Sequence, residues 1–136
     1  RRLDVPTMTT PTHPRPWLVL VAGPYRSGTG NDLERIRANL DRLEAAAMAV
    51  WERGHLPVIG EWLALPLMHR AGSRAPGDAV YTRFAYPVAR RLIPCCDAVL
   101  RLPGASQGAD DDTAQARALG LPVLSAVEDL PPAAGL

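Results

Sequence analysis

Trp17-Leu18-Val19-Leu20-Val21-Ala22 is an apolar run with no polar alternation. A run of this length and β-branched content predicts a strand buried on both faces, as in a parallel sheet covered by helices. Gly23 to Asn31 then reads Gly-Pro-Tyr-Arg-Ser-Gly-Thr-Gly-Asn, a polar turn. Beyond it, Leu33, Ile36, Leu40, Leu43, Ala47 and Val50 recur at spacings of three and four, the stripe of an amphipathic helix of about twenty residues. Asn31 as N-cap with Glu34 three residues on fits a capping box, and Gly54 fits the stop. Asn39 and Arg35 fall off the stripe and are expected in solvent.

His55 to Gly60 predicts a second strand, in which Pro57 favours an outer position in the sheet or the first residue of the ladder. Glu61 to Leu65 reads as a short helix or loop, and Ala71 to Gly77 as an exposed loop. Asp78 suits the N-cap of a helix through Val80, Tyr81 and Phe84, with Pro87 breaking or restarting it before Pro94. Cys96 to Leu102 predicts a third strand, Pro103 to Gly108 a second glycine-containing loop, Ala109 to Leu119 a helix, and Leu121 to Leu124 a fourth strand. The order β-α-β-α-β-α-β with short, right-handed crossovers predicts an α/β domain: an open parallel sheet of about four or five strands with helices on both faces. Residues 1–16 carry four Pro and no periodicity and are expected to be a disordered tail, with Met8 as a candidate internal start. Residues 17–130 form the single domain and 131–136 a C-terminal tail.

Composition narrows the function. The chain has 136 residues, 47% hydrophobic, with a net charge of +1, which argues against a broad nucleic-acid or membrane surface. All fifteen basic residues are Arg, so Schiff-base chemistry and a phosphate-loop lysine are excluded. Cys95 and Cys96 are adjacent, a spacing that suits neither a zinc ribbon nor a redox pair, and they read as reduced packing residues of a cytoplasmic protein. No membrane span or signal peptide is evident. The three His, at 13, 55 and 69, have no metal-ligand spacing, so neither a metal nor a cofactor is expected.

Three clusters remain as candidate chemistry. The first loop has the spacing Gly23-x-x-x-x-Gly28, but Thr29 stands where a triphosphate-binding loop has Lys. Arg26, Ser27 and Thr29 still offer a guanidinium fork and hydroxyls to a phosphate or a sugar. The second cluster is Asp110-Asp111-Asp112. Carboxylates in a first helical turn complement the macrodipole, but three consecutive residues cannot face one way, so Asp112 is expected to differ from Asp110 and Asp111, and one of the three to face the sheet edge. The third is Asp97, at the start of strand three, which reads either as a cap or as an ion pair with Arg90, Arg91 or Arg101. Glu61, just after strand two, is better placed at the carboxyl edge. His55 is expected to be structural.

Three motifs in order carry a resemblance: a first strand ending Ala22-Gly23-Pro24-Tyr25; an Asn-bearing helix ending Gly54-His55-x-Pro57-Val58; and Cys96-Asp97-Ala98-Val99-Leu100 followed by Ser106-x-Gly108-Ala109-x-x-Asp112 and Leu119-Gly120-x-Pro122-Val123. Over roughly 18–123 the chain resembles the nucleoside 2-deoxyribosyltransferase-like superfamily, in particular its small bacterial branch. That resemblance implies a flavodoxin-like fold, a homodimer or larger homo-oligomer, and cleavage or transfer at the N-glycosidic bond of a nucleoside or nucleotide. It implies a carboxylate nucleophile at Asp112, a second acid at Asp97, and Tyr25 in the first loop, with Gly23, Pro24, Arg26, Ser27, Ser106, Gly108 and Ala109 around the substrate.

The family has glutamate where this chain has Asp112. Losing one methylene draws the carboxylate back by about 1.5 Å, and a displacement of ~1 Å can cost on the order of a hundredfold in rate. Either the loop compensates, or Asp111 or Glu61 attacks, or the chain binds without turnover. The readings are therefore an N-glycosidic enzyme, a non-catalytic nucleotide-binding or sensing module, and a structural oligomer with a vestigial site.

Overall fold

The computed structural model describes residues 15–133. Leu18–Ala22 is the first strand, β1, and Val19 to Ala22 are buried on both faces, as a continuous apolar run requires. It pairs in parallel with Leu56–Val58 (β2) on one side and Ala98–Arg101 (β3) on the other. Val123–Leu124 (β4) pairs with β3, so the sheet order is β2-β1-β3-β4, all parallel. The helices are α1 (Leu33–Glu52), α2 (Gly60–Arg70), α3 (Ala79–Leu92) and α4 (Gln107–Ala118). This is the expected open α/β sheet, with β2 outermost as Pro57 predicted.

Alternation along β1 sorts the two layers. Val19 and Val21 face α1 through Leu43, Ala47 and Val50. Leu20 and Ala22 face the other side, against Ile93 at the end of α3 and Ala109 and Ala116 of α4. Because β1 leads outward to β2 and β3 leads the opposite way to β4, the crevice between the carboxyl ends of β1 and β3 is the topological switch point of the sheet. Ligands bind there in open α/β folds.

Several local expectations are corrected. The capping box does not form. Asn31 takes a left-handed φ of 61°, Asp32 is the N-cap without a side-chain bond, and the preceding turn is closed by the Thr29 hydroxyl, which donates to the Arg26 carbonyl (2.5 Å) and accepts from the Asn31 N–H (3.2 Å). Asn39 is buried rather than solvated, while Leu33, counted in the apolar stripe, is 62% exposed. Pro87 does not break α3, and α2 runs through Pro66. Each proline removes one helical hydrogen bond, but α2 and α3 are held against one another by Ala64, Met68, Tyr81, Phe84 and Val88. Only Cys96 is a packing residue; Cys95 is exposed, and both thiols are free. Burial pushes the Cys96 thiol up to about 11, so it stays protonated and inert. Among the described residues no helix is long and apolar enough to cross a membrane.

The two ends of the described chain meet beside β2. Residues 1–14 of the expected N-terminal tail, including Met8, and 134–136 of the C-terminal one lie outside the described residues. Arg15 pairs with Asp97 (2.7 Å), and the segment around Leu130–Ala133 lies along the end of α1, where Arg53 Nε donates to the Leu130 carbonyl (2.7 Å). Gly54 closes α1 at φ 97°, and a Cβ there would sit 2.4 Å from the Ala133 carbonyl oxygen. Gly54→Ala therefore combines a disfavoured backbone with a backbone clash. It is expected to lower stability by about 2–3 kcal/mol, read as a reduced urea midpoint with an unchanged slope.

Candidate active site

A cleft of about 510 Å³ opens at the switch point. Five segments build it: the end of β1 (Leu20 to Ala22), the first loop (Gly23, Tyr25, Arg26, Ser27, Gly30 and Asn31), the start of α2 (Gly60 and Glu61), one face of α3 (Tyr81, Thr82, Ala85 and Tyr86), and the start of α4 (Ser106 to Ala109 and Asp112). Most of the expected site residues thus converge. Gly23 lacks a side chain for packing reasons, since a Cβ would meet Leu102 Cβ at 3.0 Å and Leu43 Cδ2 at 3.2 Å. The buried Asn39 fixes the loop from below, donating from Nδ2 to the Tyr25 carbonyl (2.8 Å) while its Oδ1 accepts from Arg42 (2.5 Å).

Two expected residues do not join the cleft. Pro24 turns away from it to pack on Gly104. Asp97 precedes β3 at the opposite edge of the sheet. It accepts from both guanidinium nitrogens of Arg15 (3.2 and 2.7 Å) and from the Leu18 N–H (2.8 Å), which hold its carboxyl below the usual range. Its role is to tie the chain entering β1 to the chain entering β3, and no reaction at the cleft can use it. The ion pair forms with Arg15 rather than with Arg90, Arg91 or Arg101.

The three consecutive carboxylates separate as helix geometry requires. Asp110 pairs with Arg101 (2.9 Å), and Asp111 accepts from the Gln107 amide (2.9 Å); both are exposed. Asp112 faces the cleft. Burial is the main cause that pushes its carboxyl up to about 7, helped by the charges of Glu61 and Asp111 and opposed by Arg101. Glu61 is also raised by burial, but its own backbone N–H at the start of α2 works the other way. It occupies a first helical turn, where an anion is favoured, whereas Asp112 lies beyond the first turn of α4. Burial raises both carboxyls and the charge of Glu61 raises Asp112 further, so the two groups titrate as an interacting pair.

Hydrogen-bond donors surround this pair. Ser106 caps α4, its hydroxyl accepting from the Ala109 N–H (3.1 Å), which leaves the N–H groups of Gln107 and Gly108 for a ligand. A Cβ at Gly108 would meet nothing within 4 Å, so the approach to this helix end is open. The Arg26 guanidinium sits 4.8 Å from the Tyr81 ring centroid and makes no ion pair among the described residues. Tyr25 and Tyr81 are held protonated, both by burial first and then by the charge of Glu61. Among the described residues, no three His, Cys, Asp or Glu side chains cluster as metal ligands.

The α3 wall was missed in the sequence. Its signal is the recurrence of Tyr81, Thr82, Ala85 and Tyr86 at helical spacing, one face with hydroxyls where a core face would be aliphatic. The chain matches no family model, and no curated protein matches it significantly.

Proposed function

We propose that the chain cleaves the N-glycosidic bond of a nucleoside or nucleotide, by hydrolysis or by transfer, as its resemblance to the nucleoside 2-deoxyribosyltransferase-like superfamily implies. The observation that carries this proposal is the convergence of Glu61 and Asp112, from different elements, on one cleft, where burial raises both carboxyls and brings Asp112 to about 7. Two carboxyl groups held in different protonation states are what a two-step glycosyl transfer uses. The ionised carboxylate attacks the anomeric carbon as the carbon–nitrogen bond breaks, and the protonated carboxyl gives its proton to the departing base. Water or a second base then displaces the enzyme carboxylate, and the proton returns to the acid.

The electrostatics favour Glu61 as the attacking group and Asp112 as the acid. This exchanges the roles implied by the resemblance and removes the difficulty of the short Asp112 side chain, since a proton donor sits further from the ring than a nucleophile does. Arg26 and Ser27, with the N–H groups of Gln107 and Gly108, suit the sugar or a 5′-phosphate.

Incubation with a panel of nucleosides and 5′-nucleotides, followed by chromatography, is expected to release free base. The rate is expected to fall above about pH 7 as Asp112 loses its proton. A rate that instead rises through pH 7 would assign the attack to Asp112. Thermal stabilisation by a nucleotide with no base released would overturn the enzyme and leave the sensing module.

A further inference from the structure

We propose that a second cavity, behind the cleft, binds a small aromatic carboxylate. It encloses about 220 Å³ between the start of α1, the end of α2 and the loop 71–78. Its floor is the fully buried Met68, flanked by Ile36 and Leu65. Leu33 stands at its mouth, 62% exposed although it opens the apolar stripe of α1. The remaining wall is made by Tyr25 and Tyr81, which also line the cleft. An apolar floor and two ring walls suit a flat hydrocarbon body, since aromatic rings pack well edge-to-face or offset. At the packing density of a protein interior the volume admits about ten non-hydrogen atoms.

The polar rim fixes the charge of the ligand. His69 and Arg74 are both exposed there, and among the described residues no carboxylate lines the cavity. Among the described residues Arg74 forms no ion pair. The neighbouring Asp78 is fully occupied: it accepts from the N–H groups of Tyr81 (2.8 Å), Arg74 (2.9 Å) and Ala75 (3.3 Å) and from the Ser73 hydroxyl (2.9 Å). These bonds hold the Asp78 carboxyl down at about 2 and set the loop in place before any ligand arrives. A basic side chain at the rim of an apolar cavity favours an anion with a hydrophobic body. The ligand would press on the backs of both tyrosines.

Of the described methionines, Met48 and Met68, only Met68 lines the cavity, so methyl-¹³C-methionine NMR reports on it directly. Benzoate or phenylacetate is expected to shift the Met68 methyl signal saturably and leave Met48 unmoved, with benzyl alcohol binding at least fivefold more weakly. Leu65→Trp, which fills the cavity, is expected to abolish the shift. Arg74→Gln, at an exposed position, is expected to erase the preference for the acid over the alcohol. No saturable Met68 shift with either acid, or equal binding of acid and alcohol to the unaltered chain, would overturn the proposal. None of these readouts depends on glycosidic activity.

Discussion

Asp112→Asn is expected to slow base release from natural substrates by about 10²–10⁴-fold, yet to spare a 4-nitrophenyl furanoside, whose leaving group needs no proton. Glu61→Gln is expected to lower both reactions by about 10⁴-fold, because removing an attacking group affects every leaving group alike. The opposite pattern, with the nitrophenyl substrate dead in Asp112→Asn and alive in Glu61→Gln, would return the nucleophile to α4. A second readout needs no turnover. The Asp112 carboxyl is raised from its usual 3.8 to about 7, so the folded state holds its proton more tightly than the unfolded chain does. The stability this contributes is full below about pH 4 and is lost as pH rises through 7. The loss is on the order of 4 kcal/mol. Asp112→Asn is expected to flatten that decline, which paired urea titrations at pH 4.5 and 8 measure.

His55→Ala is expected to be the most damaging single change to the fold. The ring is buried, accepting from the Trp17 N–H at Nδ1 (2.9 Å) and meeting the Pro131 carbonyl at Nε2 (2.6 Å), so it carries its proton on Nε2. It also lies against the Trp17 indole, with centroids 5.6 Å apart. Alanine would leave a donor and an acceptor unpaired and open a void, together costing about 4 kcal/mol. That is a large part of the 5–15 kcal/mol typical of a domain and corresponds to a melting point lowered by roughly 10–20 °C. Asn, which can accept from Trp17 but does not reach Pro131, is expected to recover part of the loss. A melting point within 2 °C of the unaltered chain for His55→Ala would show that the clamp contributes nothing.

Features fixed by local periodicity were readable before the fold. β1 was evident because a run buried on both faces has no polar alternation, and α1 because its stripe repeats over five turns. That Asp110, Asp111 and Asp112 could not all face the cleft was evident because consecutive helical residues point about 100° apart. What escaped depended on partners distant in sequence. Asn39 looked solvated because the acceptor of its amide N–H, the Tyr25 carbonyl, lies fourteen residues earlier. Asp97 resembled an active-site acid because its partner, Arg15, lies eighty-two residues away in a stretch that reads as a tail. The α3 wall was obscured by Pro87, which suggested a break where tertiary packing sustains the helix.

The clamp at His55 also decides how the molecule can be handled. It brings the chain near Trp17 and the chain near Pro131 to the same end of the sheet, the end away from the cleft. A surface anchor or a fused reporter attached at either place would therefore hold the molecule with its opening turned outward. A short linker joining the two places would suit a circular permutant cut at the exposed Ala71–Gly72 turn.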